Sequence, residues 1–343
     1  MKDVLFGKTL KELKEITQTY GLPSFTARQL ADWLYKKRVN SFDEMTNLSK
    51  KTRALLTEHF EVGLHQPVTV QESKDGTKKY LFKTPLNNFI ESAYIPENKR
   101  NTLCISSQAG CKMNCTFCAT GKQGFQENLS VSEILNQIVS IPESSELTNL
   151  VYMGMGEPLD NLPEVLKSLE ILTSEWGFEW SHRKITVSTI GMLPQLTEFI
   201  EKSNVHLAVS LHSPFDEERT KLMPANKAFP IESIIKELKK HSFDRHRRLS
   251  FEYIVFHGLN DTPKHVKALA RLLNGLKCRI NLIRFHAIPG SSLKSTNEQR
   301  LQAFKDELNA KGILTTIRAS RGQDIDAACG LLSTKELLNS NKS

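Results

Sequence analysis

The chain has 343 residues, a formal net charge of +8, 39% hydrophobic and 24% charged residues. That length suits one barrel-sized domain with a smaller one, or two ordinary domains, and the near-average balance excludes a disordered or collagen-like chain. No stretch approaches the roughly 18 apolar residues of a membrane span, and the N-terminal MKDVLFGKTL has no apolar core for a secretory signal, so a cytoplasmic protein with no membrane partner is expected.

The first sixty residues read as short helices over Thr9–Tyr20, Thr26–Lys37 and Ser49–His59. Leu10, Leu13 and Ile16 recur at helical spacing, as do Leu30, Trp33 and Leu34. Gly21-Leu22-Pro23 ends the first helix, and Ser24 or Thr26 can cap the second. From Pro67 to Tyr94 the pattern turns extended, in VTVQES, TKKYLFKT and NFIESAYI. Asp75-Gly76 and Asn87-Asn88 supply the turns, which predicts a three-stranded antiparallel meander.

From about Asn101 onward strands and helices alternate. The strand-like runs are TLCISS, NLVYMGM, KITVST, VHLAVSLH, LSFEYIVF, RINLIRFHA and TTIRAS. Helical segments between them include Val131–Ile141, Pro163–Leu172, Leu193–Glu201, Pro230–His241, Pro263–Gly275 and Asn297–Lys311. Such alternation predicts a parallel sheet closed fully or partly into a β/α barrel, with its site at the C-terminal strand ends. A doubly wound open sheet is the structural alternative.

Six cysteines spaced unevenly over this length do not form the disulfide framework of a small secreted domain. Cys111-Lys-Met-Asn-Cys115-Thr-Phe-Cys118 forms a C-x3-C-x2-C loop after the first barrel-like strand. Three thiolates so close can converge on one iron–sulfur cluster and leave one iron open to an amine and a carboxylate. A structural zinc site needs a fourth ligand from elsewhere. Cys278 has no motif around it and reads as a buried core residue.

A C-x3-C-x2-C loop that opens a β/α barrel resembles the radical S-adenosylmethionine (SAM) enzymes. The surrounding CISSQAGCKMNCTFCATGKQGF, with MGMGEPLDN, ITVSTIGMLP, AVSLHSP, INLIRF and DIDAACG, resembles their RlmN/Cfr family of radical RNA adenine methyltransferases. The resemblance runs through most of the chain. It implies a partial (β/α) barrel of the radical SAM type over 101–335, after a helical RNA-binding accessory domain at 1–66 and an antiparallel β extension at 67–100. Residues 336–343 read as a polar tail.

The resemblance further implies a [4Fe–4S] cluster on Cys111, Cys115 and Cys118, with SAM as cosubstrate. Cys329 corresponds to the methyl carrier, and Cys104 to the thiol that releases the product through a transient Cys104–Cys329 disulfide. Glu91 corresponds to the proton acceptor. Gly156, Glu157, Ser188, Ser210, Leu211, His212 and His286 correspond to SAM contacts, although many relatives carry Asn in place of His286. Arg284 reads as a second SAM contact or an RNA phosphate ligand.

The implied reaction is methylation of carbon 2 of adenosine in 23S rRNA and in certain tRNAs. That carbon is too electron-poor to attack a methyl group as an ordinary nucleophile. Methylation of carbon 8, the Cfr reaction, is the alternative, and Pro158 after Glu157 favours carbon 2. The family also implies reduced flavodoxin or ferredoxin as electron donor, and a monomer is expected. Basic clusters at Lys36-Lys37-Arg38, Lys50-Lys51 with Arg53, Lys78-Lys79, Arg183-Lys184 and Arg245–Arg248 are candidate phosphate contacts.

Overall fold

The computed structural model describes residues 2–244, 246–288 and 290–325. A short strand β1 (Asp3–Val4) precedes helices α1 (Leu10–Thr19), α2 (Thr26–Ala31) and α3 (Lys50–His59), and β2 (Phe60–Glu61) returns to pair with β1 in parallel. Thr9 and Glu12 form a reciprocal capping box at α1, and Ser49 caps α3. Neither Ser24 nor Thr26 caps α2; its N-cap is Phe25, without a side-chain hydrogen bond. The helix expected over Thr26–Lys37 widens after Ala31 into a π-helical turn, Asp32–Lys37, which Arg38 ends in the left-handed region. Trp33, Leu34 and Tyr35 on that turn are all buried.

Strands β3 (Thr69–Glu72), β4 (Lys78–Lys83) and β5 (Phe89–Glu97) form the expected antiparallel meander. It runs straight into the main sheet, because β5 pairs antiparallel with β6 (Arg100–Ile105). A hairpin that sequence patterning did not predict follows, with β7 (Gln108–Gly110) and β8 (Phe125–Asn128) around a short helix α4 (Ala119–Gln123). The remaining chain alternates: α5 (Val131–Val139), β9 (Asn149–Tyr152), α6 (Leu162–Thr173), β10 (Ile185–Thr189), α7 (Gln195–Lys202) and β11 (His206–Ser210). Then come α8 (Asp216–Leu222), α9 (Ile231–Leu238), β12 (Leu249–Val255), α10 (Pro263–Leu272), β13 (Cys278–Arg284), α11 (Glu298–Ala310) and β14 (Leu314–Ile317). The sheet order is β14-β13-β12-β11-β10-β9-β6-β5-β4-β3, parallel from β6 to β14. Among the described residues no helix is long and apolar enough to cross a membrane.

The register divides this sheet into two chemically different faces. Side chains alternate along each strand, so paired residues share a face. Leu103, Ile105, Leu150, Tyr152, Ile185, Val187, Leu207, Val209, Phe251, Tyr253, Ile280 and Leu282 fall on one face and are buried in the core. The opposite face presents Thr102, Cys104, Asn149, Val151, Thr186, Ser188, His206, Ser210, Ser250, Glu252, Asn281 and Thr316. One face stabilises the fold by apolar burial. The other is the polar, concave side that lines the cavities of this sheet, and it is the face able to take a ligand.

Candidate active site

The cysteine loop spans the hairpin β7–β8, and its two ends are pinched together. Cys111 N–H donates to the Gly124 carbonyl at 3.0 Å, and Gly110 has φ +70°. A Cβ on Gly110 would meet that carbonyl oxygen at 1.8 Å, so only glycine fits there. Cys118 N–H donates to the Cys115 carbonyl, and Thr116 N–H donates to the Leu222 carbonyl at the end of α8. Cys111 and Cys115 are buried and Cys118 half-buried. Burial pushes the Cys111 thiol up to about 12 and raises that of Cys115 as well. Buried thiols this basic bind as thiolates only where a cationic centre supplies the compensating charge. A structural zinc site would need a fourth ligand beside these three cysteines. A cubic cluster instead takes each thiolate on a different iron, and the three-cysteine loop fits that donor set. Lys112 is turned outward, to Asp160 at 2.9 Å and over the Phe125 ring.

The loop after β9 meets the cysteine hairpin closely. Gly156, which corresponds to a SAM contact, and Gly154 beside it let neighbouring chain approach closely. A Cβ on Gly154 would meet the Ile105 carbonyl oxygen at 2.7 Å, and one on Gly156 (φ +94°) would meet Gln108 Cβ at 2.5 Å. Ser106 Oγ accepts from Met155 N–H at 2.8 Å and donates to the Glu91 carbonyl at 2.6 Å, tying this loop to β5.

Glu157 is buried, and both of its carboxylate oxygens are engaged. Leu159 N–H donates to Oε1 at 3.1 Å and Ile190 N–H to Oε2 at 2.9 Å. Burial raises this carboxyl to about 7, against the lowering effect of those hydrogen bonds. Glu157 therefore braces the end of β9 against the end of β10.

Arg219 continues the brace, and sequence reasoning missed it. Its guanidinium is buried and donates to the carbonyls of Ile190 and Ser210 at 2.8 Å each, and also to those of Leu211 and Phe229. An arginine eight residues beyond a strand-end Leu carries no motif, so its sequence context offered no signal. His212 packs in a strained left-handed conformation, φ 54°, edge-on to Phe117. Its Nδ1 accepts from Ile254 N–H at 3.0 Å, and burial drives its imidazole down to about 3. Leu211 is fully buried, its N–H donating to the Glu252 carbonyl and its carbonyl accepting from Arg219 Nε–H.

Ser188 and Ser210 lie half-buried on the concave face, and Cys104, on β6, lies buried on the same face. Ala93 on β5 pairs with Cys104, which puts Glu91, two residues earlier, on the same face. Glu91 is an internal carboxylate, 2.7 Å from the ammonium of Lys79, with both side chains almost fully buried. Lys79 is thus a partner of Glu91 and not a surface phosphate contact. Cys104 opens on a cavity of about 410 Å³ whose walls include Met153, Arg318 and exposed His286. Arg284 is committed elsewhere, to Glu298 and the Arg318 carbonyl. Cys329 lies outside the described residues. Cys278 is half-buried at the start of β13, its thiol pushed up to about 12 by burial.

Two family models match the chain: the radical SAM superfamily over residues 105–273, and the ribosomal RNA large subunit methyltransferase N-terminal domain over 4–62. A probable dual-specificity RNA methyltransferase RlmN of Parabacteroides distasonis is 56% identical over 97% of both chains. The chain belongs to the RlmN family of radical SAM methyltransferases. A Syntrophus aciditrophicus RlmN is 42% identical over 96% of each chain. A radical SAM methyltransferase structure from Sphaerobacter thermophilus superposes with a TM-score of 0.89 at 38% identity, covering 96% of this chain and 98% of its own. As an RlmN-family enzyme the protein uses a [4Fe–4S] cluster and SAM. The cysteine loop, at the C-terminal end of the sheet where such barrels build their sites, has the donors for that cluster.

Proposed function

We propose that this enzyme methylates carbon 2 of adenosine in 23S rRNA and in tRNA, with Cys329 as methyl carrier and Cys104 as the thiol that frees the product. One observation supports this most directly: Cys104 and Glu91 share one face of adjacent strands, and Cys104 opens on a cavity. In this reading Cys111, Cys115 and Cys118 hold the cluster, which with SAM supplies a carbon-centred radical. Gly156, Glu157, Ser188, Ser210, Leu211, His212 and His286 shape the SAM pocket. Glu157, Leu211 and His212 act there by fixing strand ends.

Cys329 thiolate would take its methyl from one SAM by displacement, releasing S-adenosylhomocysteine. That methyl would lose a hydrogen atom to the radical derived from a second SAM and add to adenine as a sulfur–carbon–adenine bridge. Once the bridged base has given up one electron, for which the cluster would be the acceptor, Glu91 takes the proton from carbon 2. Cys104 thiolate then attacks the sulfur of Cys329, the sulfur–carbon bond breaks, and the released carbon takes up a proton as a methyl group. A Cys104–Cys329 disulfide remains and must be reduced before the next cycle. Reduced flavodoxin or ferredoxin as donor and a monomeric state complete the proposal. The test is anaerobic reconstitution with iron and sulfide, then mass spectrometry of nucleosides from rRNA and tRNA incubated with SAM. The expected product is 2-methyladenosine; 8-methyladenosine alone would overturn the assignment.

A further inference from the structure

At the opposite end of the concave face, around the N-terminal ends of the parallel strands, lies a second cavity of about 370 Å³. Its floor is neutral and polar, with Thr102, Asn149, Thr186, Ser250, Asn281 and Thr316. Its walls carry five arginines: Arg100 at the start of β6, Arg183 before β10, Arg248 before β12, Arg279 in β13 and Arg318 after β14. Two of these are matched by carboxylates, Arg100 by Glu97 at 2.8 Å and Arg318 by Glu252 at 3.7 Å. Among the described residues, Arg183, Arg248 and Arg279 have no carboxylate within ion-pair distance.

Arg183 and Arg248 belong to basic clusters that the sequence marks, whereas other clusters marked there are engaged within the chain. Lys78 is paired with Glu143 at 2.9 Å, Lys37 lies over the Trp33 ring, and Arg38 donates to Ser144 Oγ. The arginine cavity retains its charge. Burial and the mutual proximity of Arg279, Arg100 and Arg183 hold the Arg248 guanidinium below its ordinary range. Five separate chain segments bring these cations together, at the expense of their mutual repulsion. Guanidinium forks match phosphate oxygens bidentately, which makes a phosphate group the natural counter-ion.

We propose that this cavity binds a phosphodiester of the RNA substrate, beside the nucleotide that reaches Cys104. The choice of polymer over free anion comes from continuity. Arg100, Thr102, Val151 and Arg318 line this cavity and the Cys104 cavity alike, so one nucleotide chain can occupy both. The proposal rests on the reading of the enzyme as an RNA methyltransferase, and its test separates the two.

The holoenzyme and its Arg248→Gln/Arg279→Gln variant are titrated with fluorescent RNA across a series of KCl concentrations, with cluster absorbance and thermal unfolding as controls of fold. Loss of two contacts should weaken binding and lower the slope of log affinity against log salt by about 1.4, at about 0.7 per single-strand phosphate. Unchanged affinity and slope would overturn the proposal. Should the double variant misfold, Arg183→Gln alone should lower the slope by about 0.7, and an unchanged slope there overturns it equally. Inorganic phosphate is the second arm: if it raises the melting temperature of the wild type but not the variant, while RNA affinity is equal in both, the cavity is a small-anion site and the RNA assignment falls. Methylation by the wild type is scored apart from binding, so a protein that binds RNA through this cavity but leaves it unmodified refutes only the methyltransferase reading.

Discussion

Lys79 and Glu91 form an ion pair of 2.7 Å between neighbouring antiparallel strands, with side-chain exposures of only 2% and 3%. The register explains the pair: Lys79 lies opposite Ala93 and Leu81 opposite Glu91, so the two charges meet diagonally on the concave face. A buried carboxylate beside an ammonium is held in one orientation, which suits the proton-acceptor role proposed for Glu91. Lys79 is in this sense a positioning residue for Glu91.

Replacing one partner is expected to cost more than replacing both. Lys79→Met leaves a buried carboxylate without its ammonium and should destabilise the fold by about 3–5 kcal/mol. Lys79→Met combined with Glu91→Leu should recover much of that loss in urea unfolding. A double variant less stable than the single one would rule out the ion pair as the source of the penalty.

Cys104→Ala should still cleave SAM but should stall with RNA covalently attached to the protein. Gel electrophoresis under denaturing conditions would show RNA migrating with the chain. Free methylated RNA at wild-type rates would exclude Cys104 from product release.

Gly156→Ala adds a Cβ 2.5 Å from Gln108 Cβ at φ +94°, where an L side chain is strained. A cost of about 1–3 kcal/mol is expected from overpacking alone. Gly21→Ala, at φ +64° but with no atom within 4 Å, isolates the backbone strain and should cost less. Melting temperatures of the two variants test this, and equal losses would discount the contact with Gln108.

His206 sits among arginines: burial, then Arg248, Arg279, Arg183 and Arg247, lower its imidazole to about 4. Its proton affinity is therefore depressed by folding. As pH falls through 6.5 toward 4 the unfolded chain gains a proton that the folded chain refuses, so stability should decline across that window and level off below it. His206→Asn should flatten this part of the stability curve; an unaltered curve would show that other groups set it.

Local pattern made much of this enzyme legible. The cysteine spacing, the alternation of strands and helices and the turn residues of the meander depend on neighbours along the chain, and their chemistry is local. Thus Cys111, Cys115 and Cys118 were recognisable as one donor set, and seven parallel strands could be counted. What the chain order concealed was which side chains share a face. Glu91 corresponded by resemblance to a proton acceptor and Lys79 read as half of a basic cluster, and only the sheet register turns them into a buried pair. Glu157 and Gly156 looked like ligand contacts, whereas tertiary packing commits them largely to the chain itself. Arg219 carries no local signature, and although Arg183 and Arg248 lie in basic clusters, that they meet Arg100, Arg279 and Arg318 in one cavity could not be read from the sequence, because the partners come from strand ends far apart along the chain. Spacing along the chain determined the cofactor chemistry; pairing across the sheet decided which polar groups face one another, because register sets the face on which every strand side chain lies.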